Sequence, residues 1–282
     1  MATTQQHREF YAQLVVKSAG CRDERLIAAF AQVPREDYMG PGPWQIFVGS
    51  GYIPTLSADA SLLYQDVLVG LATDRRINNG QPSLHAQCLA AAAPASGETV
   101  VHVGAGTGYY TAILATLVGP EGRVIAYEIE TDLAARAAAN LAHFGNVTVL
   151  AASATQAALP RCDVLYVSAG ATHPPATWLD ALNVRGRLVF PLTPNEGFGV
   201  MLMVTRLGRS TYAACGLSRV AFIPCIGARD DAASASLTAA LERQSLNEIR
   251  SLQRGTRPDD TAWCVGALWW LSTRVAQAEP GT

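Results

Sequence analysis

Two periodicities divide the chain. Between residues 6 and 38, apolar positions recur at helical spacing in two blocks. Phe10, Leu14 and Val15 give the first an apolar face; Leu26, Ile27, Ala29, Phe30 and Val33 give the second, which Pro34 ends. Residues 39–61 are rich in Gly, Pro and Ser and read as loop, and apolar residues resume over 62–72. A polar stretch from Ile77 to Gln81 then enters an alanine-rich helix, with Ser83, after Pro82, as its expected cap. From Thr99 short β-branched runs alternate with helical segments. Strands are predicted at 99–103, 123–129, 147–151, 163–167 and 187–191, with helices near 132–143 and 175–182. Such alternation predicts a parallel sheet covered on both faces. Stretches 198–205 and 211–223 read as further strands, the antiparallel edge that such sheets carry. Helical spacing returns from Asp230 through Leu237, Leu241, Leu246, Ile249 and Leu252. Residues 254–260 break it, and a last apolar helix is expected over 261–276.

The first strand runs directly into Gly104, Gly106 and Gly108, and helical spacing resumes at Ala112. Strand, glycine turn and helix in that order form a ligand-binding corner, because glycine lets a ligand approach the main chain. The second strand ends on Glu128, 24 residues after Gly104. In a doubly wound sheet an acid at that tip hydrogen-bonds a ribose, so an adenosine-containing cofactor is expected. The dinucleotide fingerprint spaces its glycines Gly-x-Gly-x-x-Gly, whereas the third glycine in this chain comes one residue earlier. The shorter loop resembles motif I of the class I methyltransferases, which bind S-adenosylmethionine (SAM) and release S-adenosylhomocysteine. On that reading Gly104, Ala105, Gly106, Thr107, Gly108, Tyr109, Glu128 and Ser153 form the cofactor set. The expected architecture is α/β: a Rossmann-like, doubly wound, mostly parallel sheet with a helical N-terminal cap and a helical C-terminal extension. The divisions fall at 1–76, 77–228 and 229–282.

Composition narrows the class. Apolar residues are 49% and charged residues 16%, which suits a globular chain with a large core. The formal net charge of −2 and the lack of any Lys/Arg run argue against nucleic acid as a partner. The six cysteines are dispersed without a Cys-x-x-Cys pair, the pattern of reduced thiols in a cytoplasmic protein, and no metal site is expected. The N-terminus lacks the apolar run of a signal peptide, and no stretch reaches 18 consecutive apolar residues, so no membrane span is expected.

Five stretches together resemble the protein-L-isoaspartate O-methyltransferases, in that family's order. They are Val33-Pro-Arg-Glu, Gly80-Gln81 before a helix, Val103-Gly-Ala-Gly-Thr-Gly-Tyr, Asn146-Val-Thr-Val and Gly186-Arg-Leu-Val-Phe-Pro. The similarity covers about residues 10–225, and the tail beyond Asp230 lies outside it. The resemblance implies a SAM-dependent transfer of methyl to a carboxylate of an isoaspartyl-type peptide. Three positions depart from the family pattern. Leu84 stands where the family has its functional serine, with Ser83 one residue early. Ala152-Ser153-Ala154 replaces Gly-Asp-Gly, and His102 replaces the carboxylate before motif I.

Methyl transfer is an in-line displacement that chiefly requires proximity, alignment and exclusion of water. A carboxylate acceptor is ionised at neutral pH, whereas a hydroxyl or protonated amine needs a base. Ser83 and His85 are the catalytic candidates, and the bland alternative makes Ser83 a cap and His85 a first-turn polar residue. Asn79, Gln81 and His173 are the substrate-binding candidates. His102, in a buried strand, reads as a structural hydrogen-bonding group. Trp263, Trp269 and Trp270 cannot share one helix face, so one or two are expected in the core and another over the pocket or a subunit interface. An apolar helical lid would close the site, which would favour a dedicated small molecule or modified peptide as acceptor. A non-catalytic SAM-binding module is the third reading.

Overall fold

A computed structural model describes residues 2–156 and 158–277. The helices are α1 (Thr4–Ser18), α2 (Glu24–Gln32), α3 (Glu36–Met39), α4 (Pro82–Ala92), α5 (Tyr109–Val118), α6 (Thr131–Asn140), α7 (Ala176–Ala181) and α8 (Asp231–Arg243). The first four strands are β1 (Gln45–Phe47), β2 (Tyr52–Pro54), β3 (Gly70–Ala72) and β4 (Ile77–Asn78). Then come β5 (Thr99–Val103), β6 (Arg123–Glu128), β7 (Val147–Ala151), β8 (Cys162–Val167) and β9 (Leu182–Leu192). The last five are β10 (Gly199–Arg206), β11 (Tyr212–Val220), β12 (Ser251–Arg254), β13 (Ala262–Val265) and β14 (Trp269–Ser272). The chain forms two compact units, one of residues 1–98 and 104–151, the other of 99–103 and the chain from 152 onward.

In the first unit, Thr3 and Gln6 cap α1 reciprocally and Asp23 caps α2 through the amides of Arg25 and Leu26. The buried face of α1 is Tyr11, Ala12, Val15 and Val16, whereas Phe10 is 67% exposed. The expected face of Phe10, Leu14 and Val15 is therefore rotated by one position. Tyr11 decides this, meeting Phe30 and Tyr64 edge-on. The stretch expected as loop holds the β1–β2 hairpin, and β3–β4 adds a second hairpin bridged to it through Ile46 and Val69. Strands β6 and β7 run parallel, from Val124 beside Val147 to Glu128 beside Ala151.

In the second unit β5, β8 and β9 are parallel. Beyond β9 the order β10, β11, β12, β14, β13 is antiparallel throughout. The tail starts in the expected helix, α8, capped by the Asp230 carboxylate on the amide of Ala233. The rest overturns the expectation of helix. Leu246, Ile249 and Leu252 enter a short 3-10 turn and β12, and the stretch expected as the last helix is the β13–β14 hairpin. Aromatic and β-branched residues suit strands, and Gly266 turns the chain where any Cβ would collide with the Trp269 indole. All three tail tryptophans are at most 7% exposed. Trp263 donates its Nε1 proton to the Ser245 carbonyl and Trp270 to Thr256 Oγ1. They are core residues, and among the described residues no α-helix follows α8 to act as a lid. No helix of the described residues is long and apolar enough to cross a membrane.

Candidate active site

The glycine loop belongs to the first unit and its backbone takes conformations that side chains resist. Gly104, Gly106 and Gly108 have φ of 76°, 56° and 99°. At Gly108 a Cβ would lie 2.7 Å from Leu141 Cδ1, so packing as well as φ demands glycine there. The Tyr127 carbonyl accepts from the amides of Gly104 and Ala105, tying the loop to β6. Asn140 Nδ2 donates to the Thr107 carbonyl (2.9 Å) and anchors the loop to the end of α6. Thr107 and Ala105 are themselves buried.

Glu128 closes the corner. It is 6% exposed; Oε2 accepts from the Gly106 amide at 2.7 Å and Oε1 from the Glu130 amide at 3.0 Å. Burial pushes its carboxyl above the ordinary range, and these backbone hydrogen bonds oppose the rise without cancelling it. Each oxygen keeps acceptor capacity, which is what a vicinal diol needs. The Tyr109 side chain, expected at the cofactor, points elsewhere. It is 1% exposed among Phe30, Tyr38 and Tyr110, with its hydroxyl 3.4 Å from that of Tyr11. Burying the ring among aromatics outweighs leaving it beside a polar loop.

The segment before α4 brings the catalytic candidates together differently from the expectation. Pro82 occupies the first helical position, where its missing N–H costs nothing, and Gln81 is the cap residue. Ser83 is therefore not the cap. Its amide donates to Asp66 Oδ1 (2.8 Å) and its hydroxyl to Asp66 Oδ2 (2.6 Å), while Gln81 Nε2 donates to Oδ2 at 3.0 Å. Asp66 caps the helix from 17 residues upstream and fixes Ser83 in one orientation. His85 is 2% exposed, stacked on Tyr110 with ring centroids 3.6 Å apart, and its ring fills the space a Cβ on Gly80 would take. That packing corrects the expectation of His85 as a base, because the imidazole faces the interior. Asn79, a substrate-binding candidate, turns inward, its Oδ1 accepting from the Val69 amide and Arg35 Nη2 while its buried Nδ2 has no hydrogen-bond partner among the described residues.

Arg35 and Asp66 escaped the sequence reading as site residues. Arg35 stood only as a letter of the Val33-Pro34-Arg35-Glu36 resemblance. It is fully buried and donates to the carbonyls of Leu63, Gln65 and Val67, holding the segment that carries Asp66. The signal for Asp66 was a single acid in an apolar run.

In the second unit, Ser153 is engaged locally, its hydroxyl 2.9 Å from that of Thr155. His173 Nδ1 is 3.2 Å from Thr172 Oγ1, and burial lowers its pKa. His102 is 1% exposed, with Nε2 3.1 Å from Ser168 Oγ. Burial pushes its pKa from 6.5 down to about 3. The unfolded chain binds that proton below 6.5, whereas the folded chain refuses it until about 3. Stability present above this window is lost as the pH falls through it. His102→Gln, neutral throughout, is expected to flatten the fall of the urea midpoint with acid over that window. A slope equal to that of the unsubstituted protein would clear His102 of the effect. Among the described residues no cluster of three His, Cys, Asp or Glu could hold a metal ion.

Comparison with known proteins gives the family. A sequence profile of the protein-L-isoaspartate(D-aspartate) O-methyltransferase family matches residues 6–230. The chain belongs to that family. Relatives include the protein-L-isoaspartate O-methyltransferase of Rhodopseudomonas palustris, 30% identical over 76% of this chain and 90% of that one. The enzyme of that name from Ignicoccus hospitalis is 33% identical over 58% of this chain and 79% of its own. Among solved structures, a protein-L-isoaspartate O-methyltransferase aligns with a TM-score of 0.65 at 23% identity, over 84% of this chain and 68% of that one. A Plasmodium falciparum protein described as a probable member of the same class, in complex with S-adenosyl-L-homocysteine, aligns at 0.63 and 18% identity, covering 78% and 98%. These likenesses establish the Rossmann-like methyltransferase fold, and family membership makes the chain a methyltransferase.

Proposed function

We propose that the chain transfers the methyl group of SAM to the free α-carboxylate of isoaspartyl residues in peptides, the carboxylate left over when the chain continues through the side-chain carbonyl. The observation that carries the reading is the Glu128–Gly106 hydrogen bond, which sets a buried carboxylate against the glycine loop in a chain of this family. Glu128 accepts from the ribose hydroxyls and the backbone of residues 104–108 receives the methionine half. Ser83 and Gln81, fixed by Asp66 at the start of α4, meet the acceptor. A carboxylate acceptor needs no base, which agrees with a His85 committed to packing. The reaction then rests on alignment and dryness, the terms a preformed segment supplies. The helical lid that pointed to a closed site for a small molecule is replaced by strands, and that argument goes with it.

A tritiated-methyl assay on an isoaspartyl peptide, with its aspartyl twin as control, tests the reading: base-labile ester on the first alone is expected. Absence of label on both would end it. Asp66→Asn and Ser83→Ala should each lower kcat/KM about tenfold or more, the loss of one charged hydrogen bond, with cofactor affinity kept. Unchanged kcat/KM in both would remove this pair from the site.

A further inference from the structure

Between Asp66 and Gly80 the chain makes an excursion, the β3–β4 hairpin, which no step above uses. Its strand β3 carries Leu71, whose Cδ1 lies 3.2 Å from where a Cβ on Gly106 would stand. Gly106 is the loop residue whose amide Glu128 holds, so Leu71 lies directly on the ribose corner. Past Leu71, a turn brings Arg75 against the loop following β6. Arg75 Nη1 and Nη2 donate to Asp132 Oδ1 and Oδ2 at 2.9 and 2.6 Å, and Nη1 also donates to Glu130 Oε2. Glu130 is the residue whose amide donates to the other Glu128 oxygen. Arg136, on α6, adds a long hydrogen bond to the Leu71 carbonyl at 3.5 Å. The hairpin is thus fastened to both structures that form the corner, and its main fastening is ionic and at the surface: Arg75 is 36% exposed and Asp132 56%.

We propose that the 70–78 hairpin is the movable wall of the cofactor site, with Leu71 as its plug and Arg75 as its latch. The inference rests on the cofactor reading given above. A ligand reaching Glu128 and the Gly106 backbone must displace Leu71, and the wall then closes behind it as Arg75 regains its two acids. A forked guanidinium on two carboxylates holds one geometry, and its exposure to solvent makes it easy to break and sensitive to salt. Arg75 also pairs with Glu130, the acid whose charge disfavours the Glu128 carboxylate. Cofactor exchange, and not only affinity, is therefore set by the hairpin.

The test is the dissociation rate of S-adenosylhomocysteine from the full chain, followed by stopped-flow displacement at low and high salt. In the unsubstituted protein the rate should rise severalfold from 50 to 500 mM NaCl, by ~3-fold or more as the ion pair is screened. Arg75→Ala should release the ligand at least tenfold faster at low salt, with little further response to salt, while the equilibrium constant changes less because entry is faster too. Arg75→Lys, which keeps charge but loses the fork, should fall between. A thermal melt that matches the unsubstituted protein confirms that the substituted chains are folded. Release rates within twofold of the unsubstituted protein, or an undiminished salt response in Arg75→Ala, would overturn the latch. Failure of the unsubstituted protein to bind S-adenosylhomocysteine at all would instead overturn the cofactor reading, and the latch with it.

Discussion

Glu128→Ala is expected to lower the affinity for S-adenosylhomocysteine by about 10- to 100-fold, read by isothermal titration calorimetry. The reason is that the carboxylate performs two tasks. On the proposed reading it accepts from the ribose, and it already holds the amides of Gly106 and Glu130. Removing it withdraws a charged acceptor, about 1.5–3 kcal/mol, and leaves a loop amide without its partner. The pH dependence has a definite sign. Burial raises the Glu128 pKa, so the acceptor is lost by protonation at a higher pH than for a solvated glutamate. Affinity should therefore decline as the solution is acidified, and Glu128→Gln should be weak but nearly flat with pH. A loss smaller than threefold in Glu128→Ala would show that the ribose lies elsewhere.

Arg35→Met is expected to destabilise the chain by about 3–5 kcal/mol, to be read as a shift of the urea transition, because it removes a buried cation whose partners stay behind. The guanidinium donates to the Leu63 carbonyl at 2.6 Å, to Gln65 at 2.9 Å, to Val67 at 2.7 Å and to Asn79 Oδ1 at 3.3 Å. It also lies over the rings of Tyr11 and Tyr109. Nothing in a methionine can replace these donors, and three carbonyls would be left facing an apolar interior. Because the segment so held includes Asp66, the substitution should also cost more activity at saturating cofactor than Asp66→Asn alone. A stability loss below about 1 kcal/mol would mean that water replaces the guanidinium without penalty.

Sequence pattern carries local information, and the outcome at each element follows from that. The strand–glycine–helix corner was legible because the glycine φ values and the strand-end Glu128 are consequences of nearby residues. Helical spacing in the tail was misleading. Leu246, Ile249 and Leu252 lie three apart, but β12 is set by pairing with β11 and β14, which sequence spacing does not encode. Trp269 to Ser272 are buried without alternation, as in a strand covered on both faces, and a run of that kind cannot be told from buried helix by period alone. Long-range partners were invisible for the same reason. Asp66 is 17 residues from Ser83, and Arg75 is 57 from Asp132, so neither pairing leaves a local trace. His85 and Asn79 carry polar groups that suit chemistry, and only the packing around Tyr110 and Arg35 shows that the His85 ring is stacked inside and the Asn79 Oδ1 already engaged.

The tail beyond residue 230 lies past the matched family region, and it changes which strand borders the sheet. A nine-residue strand such as β11, left as the border of a sheet, offers its unpaired backbone to any other chain as a template for association. In this protein the Leu246 turn lies against Gly216, where a Cβ would meet the Leu246 carbonyl oxygen at 2.9 Å, and β12 pairs with Tyr212 and Ala213. The border moves outward to β13, which has four residues, a register shift between Ala262 and Cys264, and Asp259 and Asp260 just before it. A short, irregular, acid-flanked border is a poor template. On this side the extension gives the sheet a border ill suited to adding a strand from a neighbour.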